Sequence, residues 1–250
     1  MKKPEFLFFI DIDDVLVKPH YPSFQWVVRL SGINKSKIPS ETELENRSHH
    51  IPLVAFREKF NRVTNFFWAL IVWVGGWGLK RGKIKLQPYI DVDELYRLIS
   101  LDNFMFITAI PDWTRNKRAS YFYKLFRETS KQDLETRDGH KVKSLDFVTI
   151  QRKMLTLGDM IFSKTTKQEV IAKTAQKIGL SMNQTFLIDD AIENIEDVLN
   201  HGGHAILVIK PWNRNDKARL LAAFPNTFSC VEGKDLLPFL SRLANSSYKK

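Results

Sequence analysis

The sequence predicts an α/β fold: a parallel sheet alternating with helices, interrupted after its first strand by a mostly helical insertion. Three observations predict it. Apolar runs of about five residues recur along the chain, short enough for strands buried on both faces. Helix-length patterns separate them from one another. Two of the runs, Phe6-Leu7-Phe8-Phe9-Ile10 and Thr185-Phe186-Leu187-Ile188, end in acidic clusters, Asp11-Ile12-Asp13-Asp14 and Asp189-Asp190. Ligands of open α/β sheets bind outside the carboxyl ends of the strands, so these clusters can meet at one crevice although most of the chain separates them.

Residues 1–20 hold the first strand and its acidic tip. Residues 21–85 lack strand alternation and are read as a helical cap. They carry Pro22, Pro39 and Pro52, a polar stretch from Asn34 to His50, and a helical pattern from Leu53 to Val74 closed by Gly75, Gly76 and Gly78. Residues 86–250 return to the core. Asp91 to Ser100 reads as an amphipathic helix and Phe104 to Thr108 as the second strand. Asp112 can cap the next helix, which carries Tyr121, Phe122, Leu125 and Phe126 on one face. Phe147–Ile150 and Met160–Phe162 read as short strands, and Lys167 to Ile178 as a helix. After the strand ending at Ile188 come a strand at Ala205–Ile209, a short one at Phe228–Val231 and a closing helix from Asp235 to Ala244.

Composition narrows the setting. At 250 residues the chain suits one sizeable domain, or a domain with a small cap. Hydrophobic content of 44% beside 26% charged residues excludes a disordered chain. A single cysteine, Cys230, permits no internal disulfide and lies in no nucleophile signature. Together with an N-terminal apolar run that is too short for a signal peptide and is broken by Asp11, this predicts a cytoplasmic protein. The net charge of +10 points to an anionic partner: a phosphorylated substrate, a membrane surface or nucleic acid. No zinc-finger, RNP or basic-zipper pattern supports the last of these.

The segment Phe66 to Leu79 is rich in tryptophan and aliphatic residues, and Lys80, Arg81, Lys83 and Lys85 follow it. A run of about 14 residues is too short to cross a bilayer, so no transmembrane helix is expected. Burial in the cap is the favoured reading. Peripheral association with an anionic membrane surface is the other.

The acidic clusters carry the chemistry. Residues i and i+2 of a strand point the same way, so Asp11 and Asp13 can face one pocket, with Asp14 turned away. Four carboxylates in one crevice require a cation, and oxygen ligands favour a hard ion, Mg²⁺ before others. One carboxylate can attack a phosphorus atom while its neighbour carries the proton of the leaving group. The order of motifs adds specificity: apolar-DxDxV at Asp11, apolar-Thr at Thr108, Lys at a helix start, apolar-DDxxxN from Asp189 to Asn194. This order resembles the haloacid dehalogenase-like superfamily of hydrolases, whose core is a parallel Rossmann-like sheet.

The resemblance implies a phosphomonoester phosphatase. Asp11 would be the nucleophile that forms an aspartyl-phosphate, and Asp13 the general acid and then the base. Thr108 would hydrogen-bond the phosphoryl group. Asp190, with Asp189, would hold Mg²⁺ together with Asp11 and the backbone carbonyl of Asp13, and Asn194 would support them. For the lysine, Lys164 and Lys167 compete. Thr166-Lys167-Gln168-Glu169 reads as a capping box, which puts Lys167 in the first turn of a helix and favours it. Asp14 departs from the glycine commonest in the family, and Val15 stands where many members have threonine. The substrate class stays open between a small phosphorylated metabolite or nucleotide and a protein phosphotyrosine. Two other readings use parts of the pattern: a metal-dependent DxD glycosyltransferase, which leaves Lys167 and Asp189-Asp190 unexplained, and a non-catalytic scaffold or membrane-binding module.

Overall fold

A computed structural model describes residues 4–13, 15–18, 87–88, 91–108, 115–129, 145–157, 165–211 and 213–247. The cap expected at 21–85, the aromatic segment 66–79, Asp14, Asp112, Met160–Phe162 and Lys164 lie outside the described residues.

The described elements are, in chain order, β1 (Leu7–Asp11), β2 (Val17–Lys18), β3 (Gln87–Pro88), α1 (Val92–Ser100), β4 (Phe104–Thr108), α2 (Arg115–Thr129), α3 (Phe147–Lys153), β5 (Met154–Thr156), α4 (Lys167–Lys177), β6 (Thr185–Asp189), α5 (Ile192–Asn200), β7 (His204–Ile209), α6 (Asp216–Ala223), β8 (Phe228–Glu232) and α7 (Leu236–Ser247). Six strands form one parallel sheet in the order β5-β4-β1-β6-β7-β8. The chain builds outward from β1 to one edge, then returns to the other side of β1 and builds to the opposite edge. The strand order therefore reverses between β1 and β6, and a crevice opens there at the carboxyl ends. The tips at that crevice are Asp11 and Asp189. β2 and β3 pair antiparallel as a separate two-stranded ribbon, so the chain leaves at Lys18 and returns at Gln87 side by side.

Alternation along β1 sets the two faces. Phe8, Ile10 and Ile12 bury into a core with α1, α2, α3 and α7, through Leu95, Ile99, Phe122, Phe126, Ile150 and Leu240. Leu7 and Phe9 bury on the other face with Ile107 and Leu187, under Ile171 and Ala175 of α4. Three phenylalanines pin the central register. Phe8 stacks on Phe104 of β4 at 4.7 Å and on Phe186 of β6 at 5.0 Å, and both are its cross-strand partners. With the same offset, Asp11 stands level with Asp189, and Thr108 ends its strand one residue beyond Asp11's partner Ile107.

One local expectation needs correction and one helix was missed. Phe147–Ile150 is the start of α3, not a strand. Asp146 caps it, its side chain accepting from the Thr149 amide at 2.6 Å, and Ile150 packs into the core. A cap that satisfies an otherwise unpaired first-turn amide, and one core anchor, outweigh the strand preference of Val148 and Thr149. The strand is the following Met154–Thr156, which pairs with β4. The helix α6 was not expected. Leu220 is its one buried residue while Leu221 beside it is exposed, so no apolar stripe at helical spacing marks it in the sequence.

Candidate active site

The parity that buries Leu7 and Phe9 carries Asp11 to the α4 side of the sheet, and the parity of Leu187 carries Asp189 there. α4 starts at that point. Thr166 is its N-cap, accepting from the Glu169 amide at 3.2 Å, so Lys167 is the first helical residue. A lysine in a first turn opposes the helix dipole. Here two carboxylates offset that cost. Lys167 Nζ lies 2.7 Å from Asp11 Oδ1 and 2.7 Å from Asp189 Oδ2, with all three side chains at most 7% exposed. Asp189 is fully engaged: Oδ2 also accepts from Asn194 Nδ2 at 3.0 Å, and Oδ1 accepts from the Ala191 amide at 2.9 Å. Asn194 thus supports Asp189.

Asp11, Asp189 and Asp190 are all buried, and one carboxylate oxygen of each lies within 4.8 Å of the others. Asp11 Oδ1 has its ion pair to Lys167 and no other polar partner among the described residues. Burial pushes the Asp11 carboxyl well above the usual range. The Lys167 charge pulls it back, and Asp189 and Asp13 push it further up. Burial alone would lower Lys167, but the charges of Asp11 and Asp189 outweigh it and hold the ammonium protonated. Among the described residues, three buried acids stand against one buried lysine, an excess of negative charge. Hard divalent cations take such oxygen-only sets.

Asp190 is positioned from behind. Asn213 is 1% exposed, and its Nδ2 donates to the Asp190 carbonyl at 2.8 Å and to the Val208 carbonyl at 2.9 Å. Its Oδ1 accepts from the Lys210 amide at 2.8 Å. The turn after β7 is thereby locked to the acidic turn after β6. The sequence reading did not single out Asn213, whose signal is only an asparagine in a polar turn after a strand.

Asp13 stands apart from this cage. Its Oδ1 accepts from Arg118 Nη2 at 2.7 Å, and its Oδ2 accepts from the Thr108 hydroxyl at 3.3 Å. Thr108 shares the parity of Phe106, so it faces α2, the helix that carries Arg118. The expectation that Asp11 and Asp13 share one pocket is met in a particular way. They sit close enough for charge coupling, but they are held by opposite sides of the sheet. Arg118 was also missed by the sequence reading. Its signal was present: Arg118, Phe122 and Phe126 fall at i, i+4 and i+8, so a charge occupies the buried stripe of α2 at the end nearest the strand tips.

No protein-family model matches the sequence, and no curated protein matches it. Solved structures do match the fold. A HAD family hydrolase from Deinococcus radiodurans R1, solved with bound phosphate and sodium, superposes with a TM-score of 0.52 at 13% identity, covering 98% of each chain. A hydrolase from Pseudomonas syringae gives 0.58 at 12% identity over 95% of this chain and 99% of that one. A predicted phosphatase from Clostridium acetobutylicum gives 0.57 at 12% identity, again over 95% and 99%. Among the described residues no helix is long and apolar enough to cross a membrane.

Proposed function

This chain has the haloacid dehalogenase-like fold, and on that premise we propose that it is a Mg²⁺-dependent phosphomonoester phosphatase that works through an aspartyl-phosphate on Asp11. The observation that carries the reading is the buried bridge from Asp11 through Lys167 to Asp189, with Asp13 held beside it by groups from the other side of the sheet. A scaffold would have no use for two buried acids on one buried lysine with a third acid beside them, because buried charge of this kind costs several kcal/mol, on the order of 3–5 when a partner is lost.

Asp11 attacks the phosphorus atom as the bond to the leaving oxygen breaks. Asp13, protonated, gives its proton to that oxygen. The Asp13 carboxylate then takes a proton from water, whose oxygen attacks the phosphorus and breaks the bond to Asp11, releasing phosphate. Lys167 offsets the repulsion between the attacking carboxylate and the dianionic phosphoryl group. Thr108, at the strand tip, donates to a phosphoryl oxygen. Asp11, Asp190 and the Asp13 carbonyl are assigned to Mg²⁺, with Asp189 adding charge while its oxygens hold Lys167 and the turn in place. When bound, Mg²⁺ supplies positive charge to the phosphoryl oxygens.

Residues 21–85 are proposed as the cap that governs which substrates enter, on a core of 1–20 and 86–250. The substrate class is a small phosphorylated metabolite or nucleotide, or a protein phosphotyrosine. An anionic membrane surface is the further partner proposed for the segment 66–79. A panel of nucleotides, sugar phosphates, phosphopeptides and phosphoinositides, assayed with Mg²⁺, with EDTA and with excess Ca²⁺, tests the reading. Turnover with Mg²⁺ that EDTA abolishes and Ca²⁺ inhibits is expected, because Ca²⁺ accepts more ligands at longer distances. Full activity in EDTA overturns the metal assignment, and no turnover of any phosphate ester overturns the function.

A further inference from the structure

Arg118 is outside every motif that marks the site, yet it makes the shortest contact to Asp13. Its side chain is 13% exposed, and its Nη1 is buried with no acceptor among the described residues. An unpartnered buried donor is destabilising, the more so on a charged group. The fold bears that cost on a helix stripe where Phe122 and Phe126 show an apolar side chain would pack. Something other than stability keeps a guanidinium there.

The hydrogen-bond inventory at Asp13 indicates what. Oδ1 is taken by a charge-assisted bond of 2.7 Å, and Oδ2 by a hydroxyl at the long distance of 3.3 Å. The Thr108 hydroxyl has a single proton to donate. It cannot serve Asp13 and a phosphoryl oxygen at once. When a phosphoryl group occupies the site and Thr108 turns to it, Oδ2 is released and Arg118 is the remaining side-chain anchor of Asp13 among the described residues.

We infer that Arg118 is the positioning residue that presents Asp13 Oδ2 to the leaving-group oxygen. It holds Oδ1, so the proton that passes to the leaving group resides on Oδ2. As the phosphorus–oxygen bond of the ester breaks and the bond to Asp11 forms, that proton moves from Oδ2 to the departing oxygen, leaving Asp13 as a carboxylate still held by Arg118. This rests on the phosphatase reading above and adds a residue to it.

The test is kcat/KM, which reports the phosphoryl transfer to Asp11, over a series of aryl phosphates whose leaving phenols differ in acidity. Proteins compared are the wild type, Arg118→Met, Arg118→Lys and Asp13→Asn, each checked for folding by thermal melting. Poor leaving groups need the proton and good ones do not. Arg118→Met is expected to lose on the order of 10²-fold on the least acidic phenol and little on the most acidic, steepening the leaving-group dependence as Asp13→Asn does. Arg118→Lys, able to make one charged bond to Oδ1, is expected to recover part of the loss, and it carries the test if the methionine variant does not fold. An equal loss across the series, or a dependence unchanged from wild type, overturns the inference while leaving the phosphatase reading intact. A wild type that turns over no phosphate ester, in this series or in the panel above, overturns both.

Discussion

The two halves of the site differ in how they treat charge. On the α4 side, Asp11, Lys167 and Asp189 are closed off from water, and each charge is fixed by another charge. On the α2 side, the Asp13 side chain is 33% exposed and Arg118 is 13% exposed. The difference suits the roles proposed for each half. A nucleophile and its counter-charge gain strength from a dry, fixed setting, where electrostatic interactions are larger. An acid that also serves as a base must exchange a proton with a leaving group and then with water, so it must stand at the solvent edge. One side of the sheet supplies a cage, the other an adjustable arm.

The sharpest way to break this contrast is to remove the central cation. Lys167→Met leaves Asp11 and Asp189 buried without their counter-charge. A loss of about 3–5 kcal/mol is expected by urea denaturation at neutral pH without added metal, together with loss of turnover. Asp13→Asn is expected to lose turnover with stability nearly unchanged. Equal stability effects from the two would erase the distinction between cage and arm.

A smaller change tests how the cage is braced. Asn213→Ala removes the donor to the Asp190 carbonyl and the acceptor for the Lys210 amide. Melting is expected to fall by the equivalent of about 1–3 kcal/mol. Calorimetric titration with Mg²⁺ is expected to show affinity weakened on the order of 10-fold, the usual result of losing a group that orients a ligand. Affinity equal to wild type would mean that the acidic turn holds its shape without Asn213.

Much of the cage was legible in the sequence, because strand parity and capping are local rules. Two-residue alternation from Leu7 through Asp11 and from Thr185 through Asp189 puts both carboxylates on one side, and Thr166 sets the helix start that delivers Lys167. The fold followed from the same apolar runs, whose parallel pairing the structure bears out. The arm was less legible. Arg118 lies 105 residues from Asp13, and nothing local connects a helix-stripe arginine to a particular aspartate. The misread strand at Phe147 has a similar cause, since four apolar and β-branched residues fit either element until the Asp146 cap and the core contact of Ile150 decide between them.

The central claim is that Asp11 becomes covalently phosphorylated. Rapid acid quench of the enzyme during turnover, followed by proteolysis and mass spectrometry, tests it directly. The account predicts a hydroxylamine-sensitive phosphoryl group on the peptide containing Asp11, and its absence in Asp11→Asn, whose turnover should fall by at least about 10³-fold. Steady turnover with no phosphoryl group on Asp11, or near wild-type activity in Asp11→Asn, would contradict it.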